Sequence, residues 1–147
     1  MRPSIHLRPI TAENWEEVVA LRLSPGQKHL FAPNWYSLLQ AQYEGGEARA
    51  IYAGGTIVGF AHYVLLPQEQ GCQLLRFMID QEFHGFGYGR AALTTLLDHL
   101  GSADYVSSIW PTVAPGNTGA VRLFESAGFV ATGQVDFDEA VYQLTIR

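Results

Sequence analysis

The sequence predicts an α/β sandwich with a mixed, mostly antiparallel twisted sheet and helices on both faces. Three observations support this prediction. Short β-like runs alternate with segments of helical periodicity along the whole chain. The glycine pair Gly54-Gly55 separates two β-like runs, as in a hairpin. A strand, a glycine-rich loop and a helix follow one another between Phe77 and Leu100.

Length and composition indicate one globular domain covering residues 1–147. Hydrophobic residues make up 48% of the chain and charged residues 16%, which is typical of a folded protein. The net charge of −5 argues against a nucleic-acid or membrane surface and is compatible with a cationic substrate. The single cysteine excludes an internal disulfide, and no Cys/His cluster has zinc spacing. Without a signal peptide or an apolar run of membrane-spanning length, we expect a cytoplasmic protein.

The N-terminal half is expected to contain one strand, two helices and a hairpin. Tryptophans on the two helices, Trp15 and Trp35, are expected to pack in the core. The predicted elements are a strand from Ile5 to Pro9, a helix capped by Thr11 and ending near Leu23, a helix from Asn34 to Gly45-Gly46, and two strands between Arg49 and Leu65.

The C-terminal half is expected to alternate strands and helices and to close with a hairpin. The predicted elements are a strand from Cys72 to Ile79, a helix ending at Gly101, a strand from Tyr105 to Trp110, a helix capped by Asn117 and ending at Gly128, and strands from Val130 to Phe137 and from Val141 to Ile146 around Asp138-Glu139. The complete order is therefore β, α, α, β, β, β, α, β, α, β, β.

Gly85, Gly87 and Gly89 recur at every second residue between the central strand and its helix. Glycines at this position can leave several backbone N–H groups open at the positive end of a helix, which favours a phosphate site. A flexible turn that only allows the helix to pack is the alternative interpretation. Arg90 stands where a dinucleotide-binding fingerprint needs its third glycine, and the Gly-Lys-Ser/Thr ending of a P-loop is absent.

The run His84-Gly85-Phe86-Gly87-Tyr88-Gly89 resembles motif A of the GNAT superfamily of acetyl-CoA-dependent N-acetyltransferases. That signature is Arg or Gln, two residues, Gly, one residue, and Gly or Ala, so His84 departs from it. Asn117, Ala120 and the run Leu123-Phe124-Glu125-Ser126-Ala127-Gly128-Phe129 resemble motif B of the same family. The resemblance covers nearly the whole chain and implies the GNAT fold.

The resemblance implies acetyl-CoA as cosubstrate and requires no metal. The coenzyme diphosphate would bind the loop amides at the helix start, and the pantetheine arm would lie along the end of the preceding strand. For Asn117 a helix N-cap is an alternative role. The implied coenzyme-binding residues are Phe77, Met78, Ile79, His84, Gly85, Phe86, Gly87, Tyr88, Gly89, Arg90, Asn117 and Phe124.

The sequence leaves the acid–base chemistry open. Members of the family often carry a carboxylate on the strand before motif A and a tyrosine in motif B, but that strand has no carboxylate here and Phe124 replaces the tyrosine. A water chain to His62, Tyr63 or Glu82 is one explanation. A substrate amine of lower pKa and acyl-CoA binding without turnover are the alternatives. Packing on a strand face is the alternative explanation for His62 and Tyr63, and a solvated loop is the alternative for Glu82.

The N-terminal third resembles the bacterial spermidine/spermine acetyltransferase branch of the family, most clearly in Phe31-Ala32-Pro33-Asn34. The resemblance implies direct attack by a small polyamine in a ternary complex, with Phe31, Asn34 and Tyr36 as substrate contacts, and allows a homodimer. Glu44 and Glu47 are either ammonium-attracting groups or a solvated acidic loop. An aminoglycoside or protein N-terminus as acceptor, or a non-catalytic acyl-CoA-binding module, are the alternatives.

Overall fold

The computed structural model describes residues 4–23 and 33–147, in which strands and helices follow the predicted order. The strands are β1 (Ile5–Pro9), β2 (Glu47–Ala53), β3 (Thr56–Leu66), β4 (Gly71–Ile79), β5 (Ser108–Val113), β6 (Val130–Asp136) and β7 (Glu139–Thr145). The helices are α1 (Trp15–Val19), α2 (Asn34–Tyr43), α3 (Tyr88–Gly101) and α4 (Thr118–Ser126).

The seven strands of the described ranges form one sheet in the order β1-β2-β3-β4-β5-β7-β6. Their neighbours pair antiparallel except β4 and β5, which run parallel and are joined through α3. A parallel pair needs a crossover connection, and the helix that follows the glycine-rich loop supplies it. The predicted mixed, mostly antiparallel sheet is confirmed.

Two apolar clusters cover opposite faces of the sheet. The larger one joins α3 and α4 to the sheet through residues such as Leu93 and Phe124, and the smaller one includes Val18 of α1. The adjacent strand residues Ala50 and Ile51 belong to different clusters, because successive side chains of a strand point to opposite faces. Helices therefore lie on both faces, as predicted.

Helix α1 differs from the predicted helix at both ends. Its N-cap position is Asn14 rather than Thr11, whose backbone N–H donates to Asn14 Oδ1 at 2.7 Å. The helix stops at Val19 and does not continue to Leu23. The backbone N–H of Arg22 instead donates to Asp80 Oδ2 at 2.7 Å, so this segment is bonded to the loop after β4.

The tryptophans of the first two helices do not pack in the core, contrary to the prediction. Trp15 is 47% exposed and Trp35 is 51% exposed. The buried positions of α2 are instead polar, Asn34 and Ser37. Asn34 Nδ2 donates to the carbonyl oxygen of Val18 at 3.0 Å, which links α2 to α1. The apolar spacing in α2 was therefore a poor guide to its buried face.

Strand β5 lies three residues later than predicted, at Ser108–Val113 rather than Tyr105 to Trp110. The predicted strand ended directly before Pro111, but this proline lies within β5 opposite Leu74 of β4. A proline is tolerated in a strand where its missing N–H is not needed for pairing.

The turn of the last hairpin is shifted by one residue from the predicted Asp138-Glu139. Phe137 and Asp138 have φ angles of +46° and +66°, so they form the two-residue connection. Glu139 is consequently the first residue of β7 and lies in the sheet.

Candidate active site

β4 and β5 separate partway along their length. Their parallel register runs from Gly71 opposite Ser108 to Leu74 opposite Pro111, whereas β4 remains paired with β3 as far as Ile79. The last residues of β4 therefore border an open gap in the sheet, which we call the strand gap.

A β-bulge in β4 lies at the same level as the strand gap. Leu74 is opposite Tyr63 and Arg76 is opposite His62, so Leu75 is the extra residue. A bulge bends its strand and changes the face to which the following side chains point. Beyond it, the Nε and Nη2 atoms of Arg76 donate to the Oδ1 atom of Asn34 on α2, at 3.3 and 3.0 Å.

The end of β4 presents backbone donors to the strand gap. The N–H of Asp80 donates to Val58 on β3 at 2.8 Å. Because backbone groups alternate in direction along a strand, the N–H groups of Phe77 and Ile79 point to the other side, toward the gap. The carbonyl oxygen of Ile79 lies 2.7 Å from His84 Nε2, which must carry the proton because a carbonyl oxygen only accepts.

The glycine loop, residues 84–89, has the backbone conformation that its sequence predicts. Gly85 and Gly87 have φ angles of +85° and +80°, and Gly87 is the N-cap of α3. A Cβ atom on Gly85 would meet no heavy atom within 4 Å, so the space beside the loop is open. The first N–H groups of a helix lack intrahelical partners, so this open end of α3 fits a phosphate group.

Asp80 connects the turn that follows β4 to the segment that follows α1, a role that sequence reasoning missed. Its buried carboxylate accepts hydrogen bonds from the backbone N–H of Glu82 through Oδ1, at 2.9 Å, and from that of Arg22 through Oδ2. The position of an aspartate directly after a buried strand was the available signal.

A cavity of about 460 Å³ occupies the strand gap and extends to the glycine loop. We call it the cleft. Of the predicted coenzyme-binding residues, Phe86 and Arg90 do not line it; Phe86 is exposed, and Arg90 Nη2 lies 3.4 Å from the carbonyl oxygen of Ser126. The predicted residues that line the cleft are Phe77, Met78, Ile79, His84, Gly85, Gly87, Tyr88, Gly89, Asn117 and Phe124.

Two α4 residues of the cleft have identifiable structural roles. Asn117 Oδ1 accepts the N–H of Ala120 at 3.2 Å, which confirms Asn117 as the helix N-cap. Phe124 is buried, and its ring centroid lies 5.2 Å from that of Phe129 in an edge-on arrangement. The cleft therefore has an apolar ring where motif B usually supplies a tyrosine hydroxyl.

The three predicted proton acceptors, His62, Tyr63 and Glu82, do not line the cleft. His62 Nε2 lies 3.3 Å from the carbonyl oxygen of Gly45, and burial lowers the pKa of His62. Burial raises the pKa of Tyr63 to about 12. Glu82 is exposed, and its Oε2 atom lies 4.0 Å from Nη2 of Arg22. Their catalytic role stays a prediction that this placement does not favour.

The predicted substrate residues are not all in one place. Tyr36 lines the cleft. Asn34 does not line it and instead accepts a hydrogen bond from Arg76, and Phe31 is outside the described residues. Glu44 and Glu47 do not line the cleft. Glu47 forms an ion pair with Arg49 at 2.9 Å, and Glu44 Oε1 accepts from Gln40 at 3.4 Å.

Two charged residues that sequence reasoning missed, Arg76 and Glu139, line the cleft. Burial lowers the pKa of Arg76 to about 10, so the guanidinium is still a cation at neutral pH. Glu139 Oε1 accepts a hydrogen bond from Thr112 Oγ1 on β5 at 2.7 Å. The sequence shows that residue 139 is acidic, but the prediction assigned it to a turn and therefore did not place it in the cleft.

Within residues 4–23 and 33–147, no helix is both long and apolar enough to cross a membrane. The same part of the chain contains no group of three or more His, Cys, Asp or Glu side chains arranged to hold a metal ion.

The parallel strand pair separates beside a glycine loop, as the resemblance to the acetyltransferase family implies, and the comparisons give the same class. The model of the Acetyltransferase (GNAT) family matches residues 13–129, so the chain belongs to this family. It is 29% identical to the spermine/spermidine N(1)-acetyltransferase of Bacillus subtilis strain 168 over 142 residues, covering 92% of this chain and 93% of that protein.

Solved structures show the same fold at low sequence identity. The aminoglycoside acetyltransferase AAC(6')-Ib in complex with coenzyme A has a TM-score of 0.81 at 17% identity, with 97% of this chain and 95% of that chain covered. A spermidine N-acetyltransferase chimera of Vibrio cholerae SpeG and hSSAT has a TM-score of 0.74 at 16% identity, covering 97% and 95%.

Proposed function

We propose that the protein transfers the acetyl group of acetyl-CoA to a primary amine of a small polyamine such as spermidine or spermine. The observation that carries this proposal is the strand gap, which opens beside the exposed amides of the glycine loop. The 29% identity to a spermine/spermidine N(1)-acetyltransferase supports the choice of acceptor.

The groups that line the cleft suit the chemistry of coenzyme A. The open backbone at Gly85 and Gly87, together with the start of α3, would hold the diphosphate. The unpaired edge of β4 would bond the amides of the pantetheine arm as an added strand does. The N–H groups of Phe77 and Ile79 would then lie where the oxyanion of an acyl transfer needs donors.

The acceptor amine has to lose a proton before it attacks. An alkyl ammonium with a pKa of about 10.4 gives up this proton at neutral pH at a cost of about 4 to 5 kcal/mol. The first proton passes to water in the open cleft, and the neutral amine nitrogen bonds to the acyl carbon. The nitrogen then loses a second proton to water, and the carbon–sulfur bond breaks to give the amide and the coenzyme A thiolate. A thiol with a pKa of about 8.5 can leave as thiolate at modest cost, which is compatible with the apolar Phe124.

An amine panel tests the proposal by thiol release from acetyl-CoA. Spermidine and spermine should give saturable release, whereas an aminoglycoside and a peptide with a free N-terminus should give little. Selective turnover of either of these two would identify that class as the acceptor instead. If none of the amines caused thiol release, the proposed function itself would be contradicted.

A further inference from the structure

The two sides of the cleft differ in charge. β4 contributes Arg76 on one side, and Glu139 belongs to the other side, where β5 and β7 pair. Among the described residues, Glu139 is the carboxylate that lines this cavity. The cleft therefore presents a cation from β4 and an anion from β7 on its two sides.

The carboxylate of Glu139 is held in place. Oε1 accepts the hydroxyl proton of Thr112 at 2.7 Å, and Thr112 belongs to the neighbouring strand β5. This bond ties the side chain to the β5–β7 side of the cleft. A positioned carboxylate costs less ordering when it binds a ligand than a freely rotating one.

The local sheet register adds an electrostatic reason for a cation at this place. Asp136 lies directly opposite Glu139 in the antiparallel pairing of β6 and β7. Like charges on directly opposite residues of a sheet repel. Asp136 lines a neighbouring cavity that shares Thr112 with the cleft. A bound cation would reduce this repulsion.

We propose that Glu139 binds a second ammonium group of the acceptor and thereby makes the enzyme prefer diamines and polyamines to monoamines. The inference rests on the proposed function and names the residue that determines its substrate class. The reacting nitrogen lies toward β4, where the charge of Arg76 disfavours an ammonium and favours the neutral amine. The second nitrogen keeps its charge and lies beside Glu139.

Glu139 is a specificity residue and not the base for the reacting nitrogen. A neighbouring carboxylate stabilises the charged form of an amine, which is the opposite of what the attacking nitrogen requires. Loss of a base would slow the acetylation of every amine. Loss of a specificity residue slows only the acetylation of substrates that carry the second charge.

Two substrates of equal length separate these roles, a four-carbon diamine and the four-carbon monoamine. We expect the wild type to prefer the diamine about tenfold or more in kcat/KM. Glu139→Gln removes the charge but can still accept the hydroxyl proton of Thr112. It should lower kcat/KM for the diamine about tenfold and leave that for the monoamine unchanged. Glu139→Asp keeps the charge and should restore part of the preference.

Asp138→Asn is the matched control, because Asp138 is exposed, adjacent in sequence and outside both cavities. It should leave the diamine-to-monoamine ratio unchanged. Spermidine, added to the coenzyme A complex, should raise the thermal unfolding midpoint of the wild type more than that of Glu139→Gln.

Three results would overturn the inference. The first is an equal loss of kcat/KM for the diamine and the monoamine in Glu139→Gln. The second is a wild type with the same kcat/KM for both amines. The third is a change of the diamine-to-monoamine ratio in Asp138→Asn as large as that in Glu139→Gln. In each of these cases acetyl transfer itself would remain. Absence of thiol release by the wild type with any amine would instead remove the proposed function, and the inference with it.

Discussion

Leu74 of β4 lies opposite Pro111 of β5, and no further pair between these strands follows it within the described residues. Strand pairing on the other side of β4 continues for five more residues, to Ile79 opposite Gly59. The strand gap therefore begins at the bulge at Leu75, which changes the direction of the backbone groups of β4. The opening of the cleft depends on local backbone chemistry as well as on its side chains.

Replacement of Pro111 tests whether the proline or the bulge opens the gap. The N–H position of residue 111 faces β7, where Trp110 and Pro111 have no partners, so Pro111→Val should add β5–β7 pairing and leave the gap open. Coenzyme A affinity, measured by titration calorimetry, should stay at the wild-type value, and the free energy of unfolding should not fall. Pro115→Ala is the control, because Pro115 is exposed and does not line the cleft. A several-fold loss of affinity in Pro111→Val would contradict the bulge as the origin of the gap.

Gly85 and Gly133 allow a matched comparison of the phosphate site. Both have φ angles of +85°, and an added Cβ atom would meet no heavy atom within 4 Å at either position. Alanine should therefore cost a similar strain at both, about 1 to 2 kcal/mol. Only Gly85 lines the cleft, so only Gly85→Ala should also weaken coenzyme A binding, by about tenfold. Equal affinities of the two variants would show that the loop is not the diphosphate site.

The backbone part of the site was predictable because its signals are local. Alternating glycines before a helix and a strand before them define the loop, and Gly85 and Gly87 have the positive φ angles that favour glycine. The side-chain part was not predictable in the same way. The bulge at Leu75 places Arg76 beside Asn34, and side-chain periodicity does not reveal a bulge. A one-residue shift of the last turn moved Glu139 from a loop into the cleft.

The tryptophans and the candidate bases show a second reason for wrong or untested predictions. Residue type favours burial for Trp15 and Trp35, but their positions are decided by how α1 and α2 pack on the sheet. His62 and Tyr63 lie on β3, opposite the β4 residues at which the gap begins. The cleft, however, opens on the other side of β4, toward β5. Only the three-dimensional separation of two strands determines which polar groups face it.

Phe124→Tyr restores the hydroxyl that motif B usually carries. Because a thiolate leaves readily from a thiol with a pKa of about 8.5, we expect kcat to rise only a few-fold. Steady-state kinetics with spermidine measures this, and the thermal unfolding midpoint reports whether the contact with Phe129 survives. A rise of about a hundredfold would show that protonation of the leaving thiolate limits the wild type, since it corresponds to about 2.7 kcal/mol of barrier.

Cys72 should not interfere with a thiol-release assay. The residue is buried, and burial raises the pKa of its thiol to about 12. The reactive thiolate is therefore scarce at neutral pH, and a thiol reagent should modify the native protein far more slowly than the denatured protein. Labelling of both states, followed by mass spectrometry, checks this. Rapid labelling of the native protein would contradict the packing around β4.

His62 should make the protein less stable at mildly acidic pH. Burial lowers the pKa of His62 below the value of 6.5 that applies in the unfolded chain. Between these two values the unfolded chain holds more protons than the folded one, so the free energy of unfolding falls as the pH falls. The stabilisation from neutral His62 is fully present above about pH 6.5 and is lost below it.

His62→Gln removes the titrating group and leaves a donor for the carbonyl oxygen of Gly45. The free energy of unfolding, measured with urea at about pH 7.5 and about pH 5, should differ less between the two pH values for this variant than for the wild type. The reduction is up to about 1.4 kcal/mol per pH unit in the affected window. His6→Gln removes an exposed histidine of β1 and serves as the control. Parallel pH dependences of the wild type and His62→Gln would contradict the assignment, because the protons taken up on unfolding would then belong to other groups.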